Sequence, residues 1–507
     1  MLRKYSKFIV VFILCVSSNV NAQDSISLYQ NIENQLDQFR ILNSAYYNNP
    51  ANMQDYSNTT FSNISLNYQK LNKEAYLLQE GSAHNQFKIQ TNSYKVQSKT
   101  LTLWGDASYT NTQTKNVQWN NNIDLHRINP VVIADSIGGS MHLQAYNFKG
   151  GFAKKLNKFT FGTQLAYQAG LNFKTQDPRP KNVTSDLNLV LGTTYDLSNK
   201  YKIGVAAGVN RYIQTSSIKF SSEVQRNALY QMNGLGTYNF YFSNKSQSAT
   251  YTDFTHHYTF TLGSTNNLFN LTAGTLFGNL SKDVVLSGNT TYETNRLAMR
   301  KNFATITKIV PLTAAFNLGA KIDYNKTTNT GTEIFYTNNT DIVTKLLEKE
   351  NYSFSTTEYG YNLIFQYKKD NTTIYAQPYY KVLNSLETKY DTASTLDFKY
   401  NFTGIKLFYL QNLSIKDVLS ISAQAYQRKL ISNNSQLVLT QHTGINNWLT
   451  SDFNLKQTNF KALQTSVRYD RSLLSGQSIY AIFALDYYQF HNNTTNTQST
   501  LSLGITF

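Results

Sequence analysis

The feature that most constrains the fold of this chain is an alternation of apolar and polar residues at every second position. The clearest example runs from Phe159 to Phe173, a second from Leu187 to Tyr195, and a third from Tyr201 to Val209. Because successive side chains of a β-strand point to opposite faces, this pattern indicates strands with one apolar and one polar face. Such strands cross a bilayer when they are about 10 residues long and tilted.

The composition favours a closed transmembrane β-barrel. Charged residues make up 15% of the chain and aromatic residues 14%, with 37 Tyr and 30 Phe, and the mean hydropathy is −0.41. Barrels produce such a polar and tyrosine-rich composition because lipid-facing and lumen-facing residues alternate between aromatic girdles. Beyond residue 22, no stretch approaches the roughly 18 apolar residues of a spanning helix. We therefore expect an all-β fold, a transmembrane antiparallel barrel.

The pattern predicts about 18 strands, with 16 as the nearest alternative. Besides the three segments above, strands are expected to begin near Phe61, Phe87, Leu101, Met141, Phe269, Val284, Ala304, Ala314, Tyr359, Ile374, Leu396, Leu419, Phe460, Ile479 and Leu501. Short links alternate with long ones, which we expect at about 112–139, 213–265, 327–351 and 432–454. In bacterial barrels both chain ends lie in the periplasm, which makes the long links extracellular loops.

The start of the chain predicts a secreted precursor. A basic beginning is followed by an apolar run from Phe8 to Val16 and by a small-residue cleavage site, so residues 1–22 read as a signal peptide cut between Ala22 and Gln23. The single cysteine, Cys15, lies inside it. The mature chain would then hold no thiol for a disulfide, a metal site or a nucleophile.

The end of the chain predicts where the protein is inserted. Leu501, Leu503, Ile505 and Phe507 share one face of the last strand, and nothing follows Phe507. A carboxylate-ended strand with a terminal Phe resembles the signal read by the machinery that assembles outer-membrane barrels. We therefore expect the outer membrane of a Gram-negative cell, with Phe507 as the assembly signal and the barrel-assembly machinery as a partner.

Residues 23–57 are expected to form a helical segment distinct from the barrel of residues 58–507. An amphipathic stripe at helical spacing carries Leu28, Ile32, Leu36 and Phe39. One interpretation is a periplasmic cap below the barrel mouth. The other is a hatch inside the lumen, because Asn49-Pro50-Ala51 is similar to the hatch tripeptide of the long-chain fatty-acid channel family.

Two groups of residues are candidates for a ligand site or a constriction. Trp104 and Asp106 are expected to point into the lumen, either to bind a solute or to pack on a plug with Asp106 paired to a barrel arginine. Asp177, Arg179 and Lys181 lie on a link stiffened by two prolines. That link has two interpretations. It is a conformationally locked extracellular turn, or it is an inward-folded constriction or partner contact, where the forked guanidinium of an arginine suits a carboxylate or phosphate.

Nothing in the sequence indicates an enzyme, a metal site or a cofactor. None of the seven histidines lies in a setting typical of catalytic barrels: His84, His126, His142, His256, His257, His442 and His491. The adjacent pair, His256 and His257, would point to opposite faces of a strand. The formal charge is +16, which favours attraction to lipopolysaccharide phosphates or to an anionic solute. The basic residues are scattered and no recognition motif is present, which makes binding of nucleic acid the weaker interpretation.

Three motifs in order resemble an uncharacterised outer-membrane barrel family of Bacteroidota. They are Trp104-Gly105-x-Ala107-x-Tyr109, Asp135 to Gly139, and Asp177-Pro178-Arg179-Pro180-x-Asn182 with Asp186-Leu187 after it. The resemblance implies a barrel in outer-membrane lipid that acts beside a TonB-dependent uptake system. We expect a channel or transport component for a small nutrient. The alternative is a binding or assembly barrel whose loops at 213–265 and 432–454 dock a surface lipoprotein or receptor.

Overall fold

The computed structural model describes residues 27–507 apart from five short gaps, at 222–227, 245–247, 287–289, 338–342 and 474–476. The signal peptide expected at 1–22 and its cleavage site therefore lie outside the described residues. Within the described part of the chain, no helix has both the length and the apolar character needed to cross a membrane.

Eighteen antiparallel strands form one closed barrel, which confirms the predicted fold. Each strand pairs with the next along the chain and the last pairs with the first, so that Leu66 lies opposite Leu503. The strands are β1 (Phe61–Lys73), β2 (Ala83–Ser98), β3 (Leu101–Val117), β4 (Gly139–Leu156), β5 (Phe159–Phe173), β6 (Arg179–Asp196), β7 (Tyr201–Lys219), β8 (Ser248–Ser264), β9 (Phe269–Val285), β10 (Thr291–Pro311), β11 (Phe316–Tyr336), β12 (Lys345–Lys369), β13 (Thr372–Lys389), β14 (Ser394–Ser414), β15 (Asp417–Asn433), β16 (Phe460–Ser472), β17 (Ser478–Phe490) and β18 (Thr495–Thr506).

The two faces of the strands follow the alternation read from the sequence. In β18 the side chain of Leu503 is 53% exposed and that of Ser502 only 5%. In β5, Phe161 and Leu165 are exposed while Thr160 is buried. An outward band of large apolar side chains with a polar inner face is the pattern of a barrel wall in lipid. The apolar set of the alternation is therefore the outward face of these strands, and the polar set is the inward face.

One expected strand is absent and one strand is missed, so that these two errors cancel in the strand count. The starts expected near Ala304 and Tyr359 are also wrong, because β10 and β12 begin 13 and 14 residues earlier, at Thr291 and Lys345. The start expected near Val284 is the end of β9, and β8 occupies part of the loop expected at 213–265. The inward face of β8 carries Asp253, Thr255 and His257, and its outward face carries His256 among the aromatics. The polar residues on both faces weaken the period-two contrast.

Several strands also extend beyond the lipid-crossing length. β11 and β12 occupy most of the loop expected at 327–351, which leaves residues 337–344 as their connection. The first six residues of β12, Lys345–Glu350, are exposed on both faces. A strand that projects into water needs no apolar face, so the sequence pattern ends before the strand does.

The segment before the barrel contains four short helical elements. They are α1 (Leu28–Gln35), α2 (Gln38–Leu42) and two 3-10 helices, Ser44–Asn48 and Pro50–Asp55. Ser27 and Gln30 form a capping box at the start of α1, and the Asp37 carboxylate accepts hydrogen bonds from the first amides of α2. These caps divide the amphipathic stripe into two helices joined by a tight turn.

The two ends of the barrel differ in their connections. At the end where the chain enters β1 and leaves β18, which we call the short-turn end, links such as 157–158 and 370–371 have two residues. The opposite, long-loop end has connections at 118–138, 220–247 and 434–459. These contain α3 (Leu125–Ile128), α4 (Thr443–Gln457) and a sheet of Ile133–Ala134, Tyr230–Gly234 and Thr237–Tyr238.

The long loops fold into the barrel mouth instead of extending away from it. Ile128 and Ile133 from the first loop, Phe242 from the second and Ile445 from α4 are fully buried in one apolar cluster. Inward side chains of the strands, including Tyr251 and Leu297, complete this cluster. The largest buried core of the protein thus lies at the long-loop end, where loop and barrel pack together.

Candidate functional site

Residues 27–57, which we call the plug, lie inside the short-turn half of the lumen. Tyr29 and Ile32 of α1 are buried against inward side chains of four strands, among them Ile364, Tyr375 and Phe408. The other members of the predicted apolar stripe, Leu28, Leu36 and Phe39, pack around this contact. The stripe therefore attaches the plug to the barrel wall through apolar burial.

The plug also makes a close backbone contact with the barrel wall at Gly162. The Asn49 side-chain amide donates hydrogen bonds to the backbone oxygens of Thr193 (3.2 Å) and Val205 (3.3 Å). Beside it, the backbone of Pro50 lies so close to Gly162 that any Cβ there would collide with it. Only glycine permits this approach.

Polar contacts hold the rim of the plug. The Glu33 carboxylate pairs with Lys368 at 2.7 Å and accepts a hydrogen bond from Thr373. Asp55 pairs with Lys202, and the amine of Lys321 donates to the backbone oxygen of Leu42 at 2.9 Å. The rim is thus attached to strands on different sides of the barrel.

Residues 118–138, which we call the inner loop, fold into the lumen from the long-loop end. The indole of Trp119 stacks on that of Trp448 in α4, with ring centroids 5.5 Å apart. The Asn122 amide donates to the hydroxyls of Ser216 and Tyr251, and Asn182 donates to the backbone oxygen of Asn121. The tip of the inner loop is therefore fixed to β6, β7 and β8.

Arg127 at the tip of the inner loop binds two carboxylates of the barrel wall. Its guanidinium donates to Asp253 at 2.6 and 3.0 Å and to Asp186 at 2.9 Å. It also bonds the side-chain oxygen of Asn210 and lies 4.1 Å from the centre of the Tyr212 ring. Asp253 is fully buried. This forked pairing is the strongest polar contact between the inner loop and the barrel.

A chamber of about 720 Å³ lies between the plug and the inner loop. Its walls combine three parts of the chain. The plug contributes Ser44, Tyr47, Asn48, Met53 and Tyr56, and the inner loop contributes Arg127. The strands contribute inward side chains that include Trp104, Lys149, Gln164, Asn188, Val190, Asn210, Asp253, Thr255, His257, Leu276, Met299, Lys301 and Phe303. Volume and mixed polarity match a small-molecule site.

Trp104 and Asp106 point inward, as their position in β3 predicts. The Trp104 indole donates to Gln164 at 3.1 Å and packs near Met53 and Tyr56 of the plug. Asp106 pairs with Lys149 at 2.7 Å, so the partner expected to be an arginine is a lysine. Trp104 thus forms part of the chamber wall and also supports the plug.

Asp177, Arg179 and Lys181 lie away from the chamber, at the long-loop end of β6. Arg179 pairs with Asp177 at 2.8 Å and donates to Ser221 at 2.6 Å. Lys181 is exposed on the outward face of β6, which it shares with Val183. The register of β6 turns Arg179 and Lys181 away from the lumen, so these residues do not join Trp104 and Asp106.

The residues that define the chamber most clearly are ones that sequence reasoning missed. Arg127 falls within a loop expected to be extracellular, and its partners Asp186 and Asp253 lie on strands far apart in sequence. The pair His256 and His257 does point to opposite faces, with His257 in the chamber wall. Among the described residues, no group of three His, Cys, Asp or Glu side chains could hold a metal ion.

Comparisons with known proteins give one family match and distantly similar solved structures. Residues 50–507 match the model of the Family of unknown function (DUF6850). The ferric preacinetobactin receptor from Acinetobacter baumannii aligns at 7% identity and a TM-score of 0.39, over 89% of this chain and 80% of its own. The copper transporter OprC aligns at 8% and 0.39, over 89% and 80%. A variant of the TodX monoaromatic hydrocarbon channel aligns at 8% and 0.32, over 92% and 93%. No curated protein has a significantly similar sequence.

Proposed function

Because the chain belongs to this family of unknown function, we propose its role from the lumen: a gated channel or transport component for a small nutrient. The observation that carries the proposal is the chamber, which lies between two separate closures inside a transmembrane barrel. A plain pore needs no plug, and a purely structural barrel needs no chamber with a mixed polar and apolar wall.

The proposal includes the location and the surroundings of the barrel. The outward apolar band supports residence in the outer membrane of a Gram-negative cell, after cleavage of a signal peptide near residue 22. The neighbours would be lipid and lipopolysaccharide, and insertion would use the barrel-assembly machinery. A TonB-dependent uptake system would be the functional partner, and residues 23–57 would act as the hatch.

The experiment that tests this proposal is conductance of the purified barrel in planar bilayers. Gly162→Ala places a methyl group against the backbone of Pro50, which should displace the plug and raise the open probability several-fold over wild type. Gly150→Ala is the matched control, because a Cβ there meets only one atom, at an ordinary distance of 3.8 Å.

Deletion of residues 27–57 extends the same test and should give a larger, long-lived conductance. A barrel that stays silent in the wild type, in Gly162→Ala and in the deletion would refute the gated channel. Each variant must first migrate as a folded barrel on an unheated gel, so that silence cannot result from misfolding.

One observation favours the alternative, a barrel that docks a surface lipoprotein or receptor. Phe240, in the connection between β7 and β8, is 82% exposed, so its ring is available for contact with a partner. Most other apolar side chains of these loops are buried in the mouth. A photo-crosslinker at position 240 in native membranes should capture a protein if docking is the function, and recovery of the barrel alone would count against it.

A further inference from the structure

We propose that the chamber binds a small organic anion and that Lys301 is the residue that pairs with its charge. This inference rests on the proposed transport function, because it names the class of solute for the same chamber. It follows from which charges on the chamber wall are already paired and which one is not.

Lys301 lies on the inward face of β10, between the inward side chains of Met299 and Phe303. It lines the chamber and is exposed to it. Among the described residues, its amine has no ion pair and no hydrogen bond to a side chain. The Lys301 ammonium group therefore faces the chamber without a bonded counter-ion.

The other charged groups of the chamber wall are already paired. Lys149 is bound to Asp106 at 2.7 Å, and Arg127 is bound to Asp186 and Asp253. Asp253, the only carboxylate that lines the chamber among the described residues, is saturated by this pairing and by the Thr255 hydroxyl. Lys301 is thus the one cation of the chamber wall without a bonded counter-ion among the described residues, while Arg127 is shared by two carboxylates, so that the named groups carry no net charge. A low-dielectric wall strengthens the direct attraction between the Lys301 amine and an anion.

The remaining wall favours an anion with an apolar or aromatic body. Trp104, Met53, Leu276 and Phe303 provide apolar surface on the plug and on three strands. The amides of Asn188, Asn210 and Gln164 add polar groups between them. The volume of about 720 Å³ holds a molecule with one ring and a short side chain, with room for water.

The position of the chamber also connects its occupant to both closures. A molecule beside Lys301 would contact the plug at Tyr47 and Met53 and the inner loop at Arg127. Binding would therefore favour the arrangement in which plug and loop close around it.

The test is calorimetric titration of the folded, detergent-solubilised barrel, which needs no transport. The probes are phenylacetate and phenyl phosphate as anions, 2-phenylethanol as the neutral analogue and 2-phenylethylamine as the cation. Both anions place a ring and a negative group in the chamber, and the tighter of the two identifies the carboxylate or the phosphate. We expect the anions to bind and the amine not to bind.

The variants isolate the charge of Lys301. Lys301→Met should weaken anion binding about tenfold, equal to about 1.4 kcal/mol, and leave 2-phenylethanol binding unchanged. Lys301→Arg should restore most of the affinity, whereas Lys301→Glu should abolish it. Lys88→Met is the matched control, because Lys88 is also on an inward face, in β2, but does not line the chamber.

The outcomes separate this inference from the transport proposal. Equal affinity of wild type and Lys301→Met for the anions, or no saturable anion binding up to about 10 mM, would overturn the anion site. Neither result would affect the conductance test. Conversely, anion binding that depends on Lys301 in a barrel that never conducts would support the site and refute the channel.

Discussion

Arg127 is the single residue on which the closure of the lumen depends most. Its guanidinium pairs with Asp186 and with the fully buried Asp253, so Arg127→Met leaves both carboxylates without a cation. Removing one partner of a buried ion pair costs about 3 kcal/mol. We expect the amides of the inner loop to lose hydrogen-exchange protection by this amount and the single-channel conductance to rise.

Arg211 provides the control for this prediction. It lies on the outward face of β7, beside Asn210, and does not line the chamber. Arg211→Met should leave the exchange of residues 118–138 unchanged. Equal protection of the inner loop in wild type and Arg127→Met would mean that the apolar cluster, and not the ion pairs, holds the loop.

The sequence predicts the direction of a single side chain, but it does not predict the contacts of that side chain. The inward direction of Trp104 follows from counting positions along one strand. Its contact with Gln164, and the meeting of Arg127 with Asp186 and Asp253, depend on strand order and on how a loop folds back. The pattern along one strand does not show which distant strands and loops meet, so the chamber could not be predicted from the sequence.

Among the elements, α4 is the one whose packing should depend on pH. Asp452 in α4 accepts a hydrogen bond from the Trp448 indole at 2.7 Å and one from the Leu78 amide at 3.4 Å. Burial raises the pKa of Asp452 to about 6, while nearby Lys456 opposes and Glu80 reinforces this shift. At neutral pH the packed helix therefore holds an ionised carboxylate in a buried site.

The sign of the effect follows from the raised pKa. Protonated Asp452 favours the packed helix, so this contribution is fully present below pH 3.8 and is lost as the pH rises through about 6. Hydrogen exchange in residues 443–457, corrected for its intrinsic pH dependence, should show weaker protection at pH 7.5 than at pH 5. Asp452→Asn should remove most of that difference, and a pH dependence that persists in this variant would assign it to another group.

The strands that the sequence predicts correctly are those whose two faces differ strongly in polarity. β5 and β18 present large apolar side chains to lipid and small polar ones to the lumen, and both were placed correctly. β8 carries His256 on its outer face, and the start of β12 is polar on both faces because it projects into water. Apolar and polar residues alternate along a strand only where its two faces lie in different environments. A strand whose two faces lie in similar environments therefore shows no period-two pattern in the sequence.

For the molecule as a whole, Phe507 extends the pairing of β18 with β1 that closes the barrel. The Phe507 amide donates to the backbone oxygen of Ser62 at 2.9 Å, and the Ser62 amide donates to the Phe507 oxygen at 2.8 Å. These backbone bonds do not depend on the aromatic ring. Phe507 itself is 38% exposed, on the outer face, so its ring is only partly covered by the rest of the protein.

Phe507→Ala therefore separates assembly from stability. Because the ring is partly exposed, its loss should change the free energy of unfolding of the inserted barrel by only about 1 kcal/mol. If Phe507 is read as a signal during insertion, the yield of folded barrel in the outer membrane should fall several-fold, measured as the heat-modifiable fraction. Phe507→Tyr should retain the yield. A normal yield for Phe507→Ala would show that closure of β18 on β1 suffices for insertion, and a loss of stability as large as the loss of yield would make Phe507 a packing residue.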